Sequence, residues 1–294
     1  MRRLHVGEKI KPMRRAKPRS QVLFALATTV VVLAATVASA QIWVGGRGGG
    51  RGARPKWATI QDFDGSFVYC RGFFTSWYRE AGGSGWSTDY PGSDNNFSVR
   101  FAELTRVHVK LNANREPNYV VVSLTDPLLY RCPILLMEDV GTAEFSDAEV
   151  AALRSYFLKG GFLWVDDFWG SYAWDNWVTQ ISRVLPPGSF PIVDLSNDHP
   201  MMRMLYDVKE VPQVPNIGFW RQTGGGTSER FEDSAKVHFR GIADDRGRLM
   251  VLMTHNTDIA DTWEREGENQ DYFHTFSPRG YALGVNVMLY AMSH

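Results

Sequence analysis

The stretch GGFLWVDDFWG, residues 160–170, decides the fold. Phe162 to Val165 form an apolar run without polar alternation, the pattern of a central parallel strand covered on both faces. Just upstream, Ser146 and Glu149 stand as a capping box and Phe145 and Val150 as a hydrophobic staple. Val150, Leu153 and Phe157 share one helical face, and Gly160-Gly161 supplies the stop. Downstream, Ser171 is placed as the N-cap of a second helix carrying Trp174, Trp177, Ile181 and Leu185 and ended by Pro186-Pro187.

Outward from this unit the same alternation continues. Phe67 to Phe74, Val120 to Leu124 and Pro133 to Met137 read as strands, and Phe97, Phe101 and Leu104 have helical spacing within Phe97 to Arg106. Ile192 to Leu195 is a further short strand-like run. Lys236 to Ile242 and Arg248 to Thr254 flank Asp244-Asp245-Arg246-Gly247 as a hairpin, with glycine where a positive φ is needed, and Tyr281 to Met292 forms a last helix. The expected fold is an α/β three-layer sandwich with a mostly parallel, flavodoxin-like or amidotransferase-like sheet and a C-terminal β-hairpin.

The chain of 294 residues is 44% hydrophobic, enough for one large core. Its formal charge of zero hides an asymmetry. Residues 1–56 hold 12 Lys or Arg and a single acid, Glu8, which leaves 20 basic against 31 acidic residues from Trp57 onward. An acidic body argues against a nucleic-acid partner. The basic head precedes the uncharged stretch Val22 to Ala40, which ends Ala38-Ser39-Ala40, so residues 1–40 read as a signal peptide cleaved before Gln41 or as an N-terminal membrane anchor. Either reading puts the body outside the cytoplasm, in the periplasm or elsewhere in the cell envelope. Residues 41–56, rich in Gly and Arg, are expected to be a flexible linker to a single domain over 57–294. Cys70 and Cys132 suit one disulfide in such a compartment or two buried thiols, and the second reading is preferred.

In an open α/β sheet the ligand crevice lies outside the carboxyl ends of the strands. Three expected strands end there in polar clusters: Glu138-Asp139, Asp166-Asp167, and Thr254-His255-Asn256 with Asp258 and Asp261 behind. Neighbours in extended chain point to opposite faces, so only one of Asp166 and Asp167 can enter the crevice while the other serves structure. Catalytic candidates are Asp166, Asp167, His199 and His255. Ligand-binding candidates are Asp166, Asp167, Trp169, His199, His255, Asn256 and Asp258. His199 before Pro200 also reads as a helix cap. His199, His255, Asp166 and Asp258 have metal-ligand chemistry without a local spacing rule, and no cofactor is specified. Trp77, Trp86, Trp169, Trp220 and Trp263 fall in loops or at element ends, where their faces can stack on sugar rings or pack as satellite core. Gly224 to Gly226 lacks the lysine of a phosphate loop and reads as a mobile loop near the site.

The segments DYPGSDNNFSVRFAELT, LTDPLLYRCPILLMEDVG, FLKGGFLWVDDFWG, NDHPMM, VPQVPNIG and GRLMVLMTHNTDIADTWE, in that order, resemble a bacterial family known as domain of unknown function 4159. The resemblance implies an exported or membrane-linked domain and brings no activity. A helix, Gly-Gly, a buried strand and a later His-Pro are also similar to the ThuA-like branch of the amidotransferase-like fold, associated with sugar metabolism. That branch ends the strand in histidine, whereas Asp166 stands here, and no nucleophile elbow is present. Three readings follow: a domain binding a polar small molecule or glycan, or a partner, at the strand-end crevice; a metal-assisted or acid-base hydrolase of envelope carbohydrate; and a scaffold for membrane-protein partners.

Overall fold

Side chains of the inner strands divide by parity between two hydrophobic cores, as expected of a sheet buried on both faces. The computed structural model describes residues 41–44 and 53–294; the expected signal peptide or anchor, residues 1–40, lies outside the described residues. Among the described residues no helix is long and apolar enough to cross a membrane. The strands are β1 (Tyr69–Phe73), β2 (Thr75–Ser76), β3 (Tyr119–Ser123), β4 (Ile134–Glu138), β5 (Ala143–Glu144), β6 (Phe162–Asp166), β7 (Val193–Asp194), β8 (His238–Ala243) and β9 (Leu249–His255). The α-helices are α1 (Gly92–Thr105), α2 (Asp147–Leu158), α3 (Gly170–Val184), α4 (Ile217–Thr223), α5 (Asp261–Glu264) and α6 (Gln270–Ser293).

Seven strands form one sheet in the order β3-β1-β4-β6-β9-β8-β7, and β2 pairs with β5 in a separate ribbon. The first five are parallel; β8 pairs antiparallel with both β9 and β7 at one edge. Tyr69, Leu136 and Trp164 join Phe97, Phe101, Trp263 and Leu283 in one core, under α1, α5 and α6. Cys70, Leu135, Leu163 and Val165 join Leu153, Phe157, Trp177 and Ile181 in the other, under α2 and α3. The result is a three-layer α/β sandwich. Among its parallel strands, chain order runs 2-1-3-4-5 across the sheet, so the direction of winding reverses between β1 and β4. These two strands share a single registered pair, Arg71 with Leu136, whereas β4 and β6 stay in register from Ile134 to Glu138. The splay leaves room at the strand ends.

The expected capping box at Ser146 and Glu149 forms, and the hairpin turn carries Gly247 at φ 82°. Three local expectations are corrected. Ser171 is not a cap: α3 begins at Gly170, and the Ser171 N–H donates to Asp233 Oδ2 at 2.9 Å, so a remote carboxylate does the capping. The last helix starts at Gln270 and continues through Pro278, because the Asn269 side chain accepts from the Tyr272 N–H and sets its first turn upstream of the proline. Cys70 and Cys132 form a disulfide with Cα atoms 6.0 Å apart, since β1 and the entry to β4 bring both into the same core. The described start of the expected linker also packs on the domain: the Trp43 N–H donates to Asn96 Oδ1 at 2.8 Å, and its carbonyl accepts from Asn96 Nδ2 at 3.0 Å.

Candidate functional site

The carboxyl ends of β1, β4, β6 and β9 carry an unusual backbone feature. Asp139, Asp167 and Asn256 follow strands, Asp89 precedes α1, and all four adopt left-handed φ values of 52°, 51°, 64° and 57° respectively. For residues with a Cβ this conformation costs about 1–2 kcal/mol, least for Asp and Asn. It turns the chain sharply at the end of the strand, and backbone hydrogen bonds lace the turns together: Asp139 N–H to the Asp167 carbonyl at 3.0 Å, Asp167 N–H to Thr257 at 3.2 Å, Asn256 N–H to Phe168 at 3.0 Å.

The pair in the opening stretch separates because β6 ends at Asp166 and the left-handed turn at Asp167 redirects the chain. Asp166 is locked beneath the rim: its Oδ2 accepts from the Ile259 and Ala260 N–H groups at 2.6 and 3.1 Å, and its Oδ1 from Thr254 Oγ1 at 2.5 Å. Burial still raises its carboxyl to about 7. Asp167 turns into a small cavity that it lines with Asp89, Asp139, Asp258 and Trp169. The Trp169 indole N–H donates to Asp167 Oδ1 at 2.8 Å. Glu80, Glu229 and Arg230 border the same space, which has room of about 10 Å³, one water-sized particle.

Asp89, Asp167 and Asp258 each offer an oxygen, and these atoms lie within 4.8 Å of one another. Asp89 belongs to a second such trio with Asp261 and Glu264, but there Arg265 pairs with Asp261 at 3.1 Å and with Glu264 at 2.7 Å. Among the described residues no ion pair reaches Asp89, Asp167 or Asp258. Burial first, and then mutual repulsion, pushes the Asp167 and Asp258 carboxyls well above the usual range; burial, then Glu80, does the same to Asp139.

Beneath the cavity Arg71 of β1 is fully buried and anchors the loop that carries Asp89. Its guanidinium donates to Asp94 Oδ1, to both oxygens of Glu138 at 2.8 and 3.0 Å, to Ser93 Oγ at 2.9 Å and to the Thr88 carbonyl at 2.9 Å. Beside the cavity, and sharing Gly83 and Asp139 with it, an open groove of about 530 Å³ lies where β1 and β4 diverge. Phe73, Trp77, Tyr78 and Trp86 give it aromatic walls, and Ser76, Ser84 and Ser87 line it as well. A methyl group on Gly83 would overlap the Asp139 carboxylate, so glycine is what allows this loop to close over the acid.

Of the expected site residues, Asp167, Trp169 and Asp258 are brought together. The others are not. His255 stacks on Phe168 at 4.8 Å and on His238 at 5.5 Å, its Nε2 meets the Gly170 carbonyl at 3.0 Å, and burial lowers it to about 4. Asn256 braces α3 by accepting from the Gly170 N–H at 2.8 Å and donating to the Lys236 carbonyl at 2.8 Å. His199 caps its own turn by accepting from the Met201 N–H at 3.3 Å and packs on Tyr290. Tyr290 lies 18 residues, about 27 Å along a helix, beyond Tyr272, which meets the rim at Asp261, so His199 sits at the opposite end of the sheet. A metal set of His199, His255, Asp166 and Asp258 is therefore not assembled. Trp263 and Trp169 are core residues, 1% and 3% exposed, while Trp77 is 51% exposed. Gly224, at φ 68°, ends α4, and the loop after it brings Glu229 and Arg230 to the cavity.

Asp89, Asp139, Glu80 and Glu229 escape the sequence-level site. Asp139 has a visible signal: Glu138-Asp139 and Asp166-Asp167 end adjacent strands in register, Glu138 beside Asp166. No protein of curated function matches the chain. Residues 78–292, which include every acid lining the cavity but not β1, match the family described as Domain of unknown function (DUF4159), and the chain belongs to that family.

Proposed function

We propose that this is an exported domain that binds an uncharged, hydroxyl-bearing ring ligand, a glycan or polyol, in the groove at the winding reversal of the sheet. The observation that carries the reading is the groove itself: aromatic faces and hydroxyl groups at the switch point, at a volume typical of small-molecule sites. The buried carboxylates next to it disfavour phosphates and other anions. Export rests on the residues 1–40 pattern, and the Cys70–Cys132 disulfide agrees with an oxidising compartment. Thermal shift against neutral oligosaccharides and polyols, set beside sugar phosphates, tests it. Stabilisation by neutral members is expected; indifference to all of them, or a preference for the phosphates, overturns it.

Hydrolysis of such a ligand is a second reading, favoured by Asp139 alone. Its carboxyl faces both groove and cavity, and burial, then Glu80, raise it well above the usual carboxylate range, the direction a general acid needs. Asp139→Asn should then abolish turnover of a neutral glycan while leaving its binding intact. No observation favours a pure scaffold for membrane-protein partners, which predicts that groove substitutions change no ligand response.

A further inference from the structure

We propose that Asp89, Asp167 and Asp258 hold one hard divalent cation, of the calcium or magnesium class, in the small cavity at the carboxyl rim of the sheet. The inference stands independently of the ligand in the neighbouring groove. Its geometry comes from three separate segments: the turn before α1, the end of β6 and the loop after β9. Oxygens that lie within 4.8 Å of one another fit around a single ion at 2.3–2.6 Å, the reach of calcium. The cavity admits one water-sized particle and no organic ligand.

A cluster of acids alone does not make a site, and here a further group points the same way. Asp139 lines the same cavity, is 1% exposed, and its Oδ1 has no hydrogen-bond partner. Asp89, 8% exposed, likewise leaves its Oδ2 without a partner. Buried polar atoms without donors are costly, and a cation in this cavity offsets that cost. In the second trio Arg265 forms ion pairs with Asp261 and Glu264, whereas among the described residues no ion pair reaches Asp167 or Asp258.

Protons compete for these oxygens. Glu80, Glu229 and Arg230 face the cavity at its border, Asp166 and Asp261 stand behind Asp258, and the charges of Arg71 and Arg265 act on Asp89. Burial raises these carboxyls, with neighbouring acids adding to it at Asp167 and Asp258, so protons compete with the ion, which binds more tightly as pH rises.

The test uses the full chain, stripped with chelator and then given calcium, magnesium or manganese singly. Calorimetry should read one ion per chain with proton release, and the melting temperature should rise by roughly 5 °C or more at saturation. Terbium should substitute and emit on tryptophan excitation, since Trp169 touches Asp167. Asp258→Asn should weaken binding at least tenfold; should that variant not fold, Asp167→Asn, whose amide oxygen still accepts from Trp169, gives the same reading. Indifference of the stripped wild-type chain to all three cations up to about 10 mM, above the weakest extracellular calcium modules, overturns the proposal. So does binding that both variants retain in full.

Discussion

Asp94 and Glu138 are buried at the same rim as Asp139 and Asp167, yet their surroundings differ. The first two converge on Arg71, whose donors also reach Ser93 and the Thr88 carbonyl. The second two converge with Asp89 and Asp258 on a cavity where Asp139 Oδ1 and Asp89 Oδ2 meet no donor. One acid group is complete within the chain and holds loops in place. The other is complete only with something the chain does not contribute, a proton or a cation. Burial alone therefore does not distinguish architecture from function; satisfaction of the buried oxygens does.

Breaking the completed half should have the largest effect. Arg71→Met keeps the volume of the stem and removes the charge, leaving Asp94 and Glu138 buried without a counterion. Removing one partner of a buried ion pair costs about 3–5 kcal/mol, so urea denaturation should show a loss of that order or an unfolded chain. A loss below about 1 kcal/mol would mean that these acids are readily protonated and that the two regions are alike.

The unfinished half answers to pH. Asp166 and Asp261 are raised to about 7, and Asp139, Asp167 and Asp258 are also raised well above the usual range, chiefly by burial. Each folded carboxyl thus binds its proton more tightly than the unfolded one does. That contribution is fully present below the ordinary aspartate value near 4 and is lost as pH rises through the folded values. In chelator, thermal unfolding followed from about pH 4 to pH 8 should show stability falling by a few kcal/mol. Saturating cation should flatten the fall. An unchanged profile with and without cation would leave protons as the only occupants.

The architecture was legible because it rests on patterns that are local: an apolar run flanked by a capped helix and a glycine stop yields a central strand without tertiary information. The rim was legible only in part. Strand-end aspartates point to the edge where the cavity lies, and Asp166 and Asp167 do part, but by the left-handed turn at Asp167 and not by strand alternation. Nor does parity say which acid finds donors, since Thr254 and the Ile259 and Ala260 N–H groups lie about 90 residues further along the chain. Asp89 was hidden for the same reason, being brought to the cavity by a turn whose shape depends on buried Arg71. His199 misled because histidine before proline looks reactive at either end of a sheet. The cysteines misled because pairing needs the register of β1 against β4, and spacing of 62 residues carries no information about it.

Between the two halves, Asp258→Asn gives a smaller and oppositely signed effect. Its Oδ1 accepts from the Asp261 N–H at 2.8 Å, a bond that an amide oxygen keeps. Removing a titratable group from among Asp167, Asp89 and Asp261 should stabilise chelated protein by on the order of 1–2 kcal/mol at neutral pH, measured by urea denaturation. Destabilisation would mean that a further donor within the fold serves the other oxygen, Asp258 Oδ2, and the cavity would join the completed half.

Trp77→Ala carries the comparison out to the groove and should have the smallest effect on stability. The ring is 51% exposed and packs edge-on against Tyr78 with centroids 4.9 Å apart. Surface positions of this kind change stability by about 0.5 kcal/mol or less. An aromatic face left open beside hydroxyls parallels acids left without donors: neither is needed by the fold. The expected outcome is an unchanged urea midpoint together with loss of most of the stabilisation by a neutral glycan, since one stacked ring is worth about 1 kcal/mol or more in a binding site. An equal loss in free and ligand-saturated protein would assign Trp77 to packing and leave the groove without its principal wall.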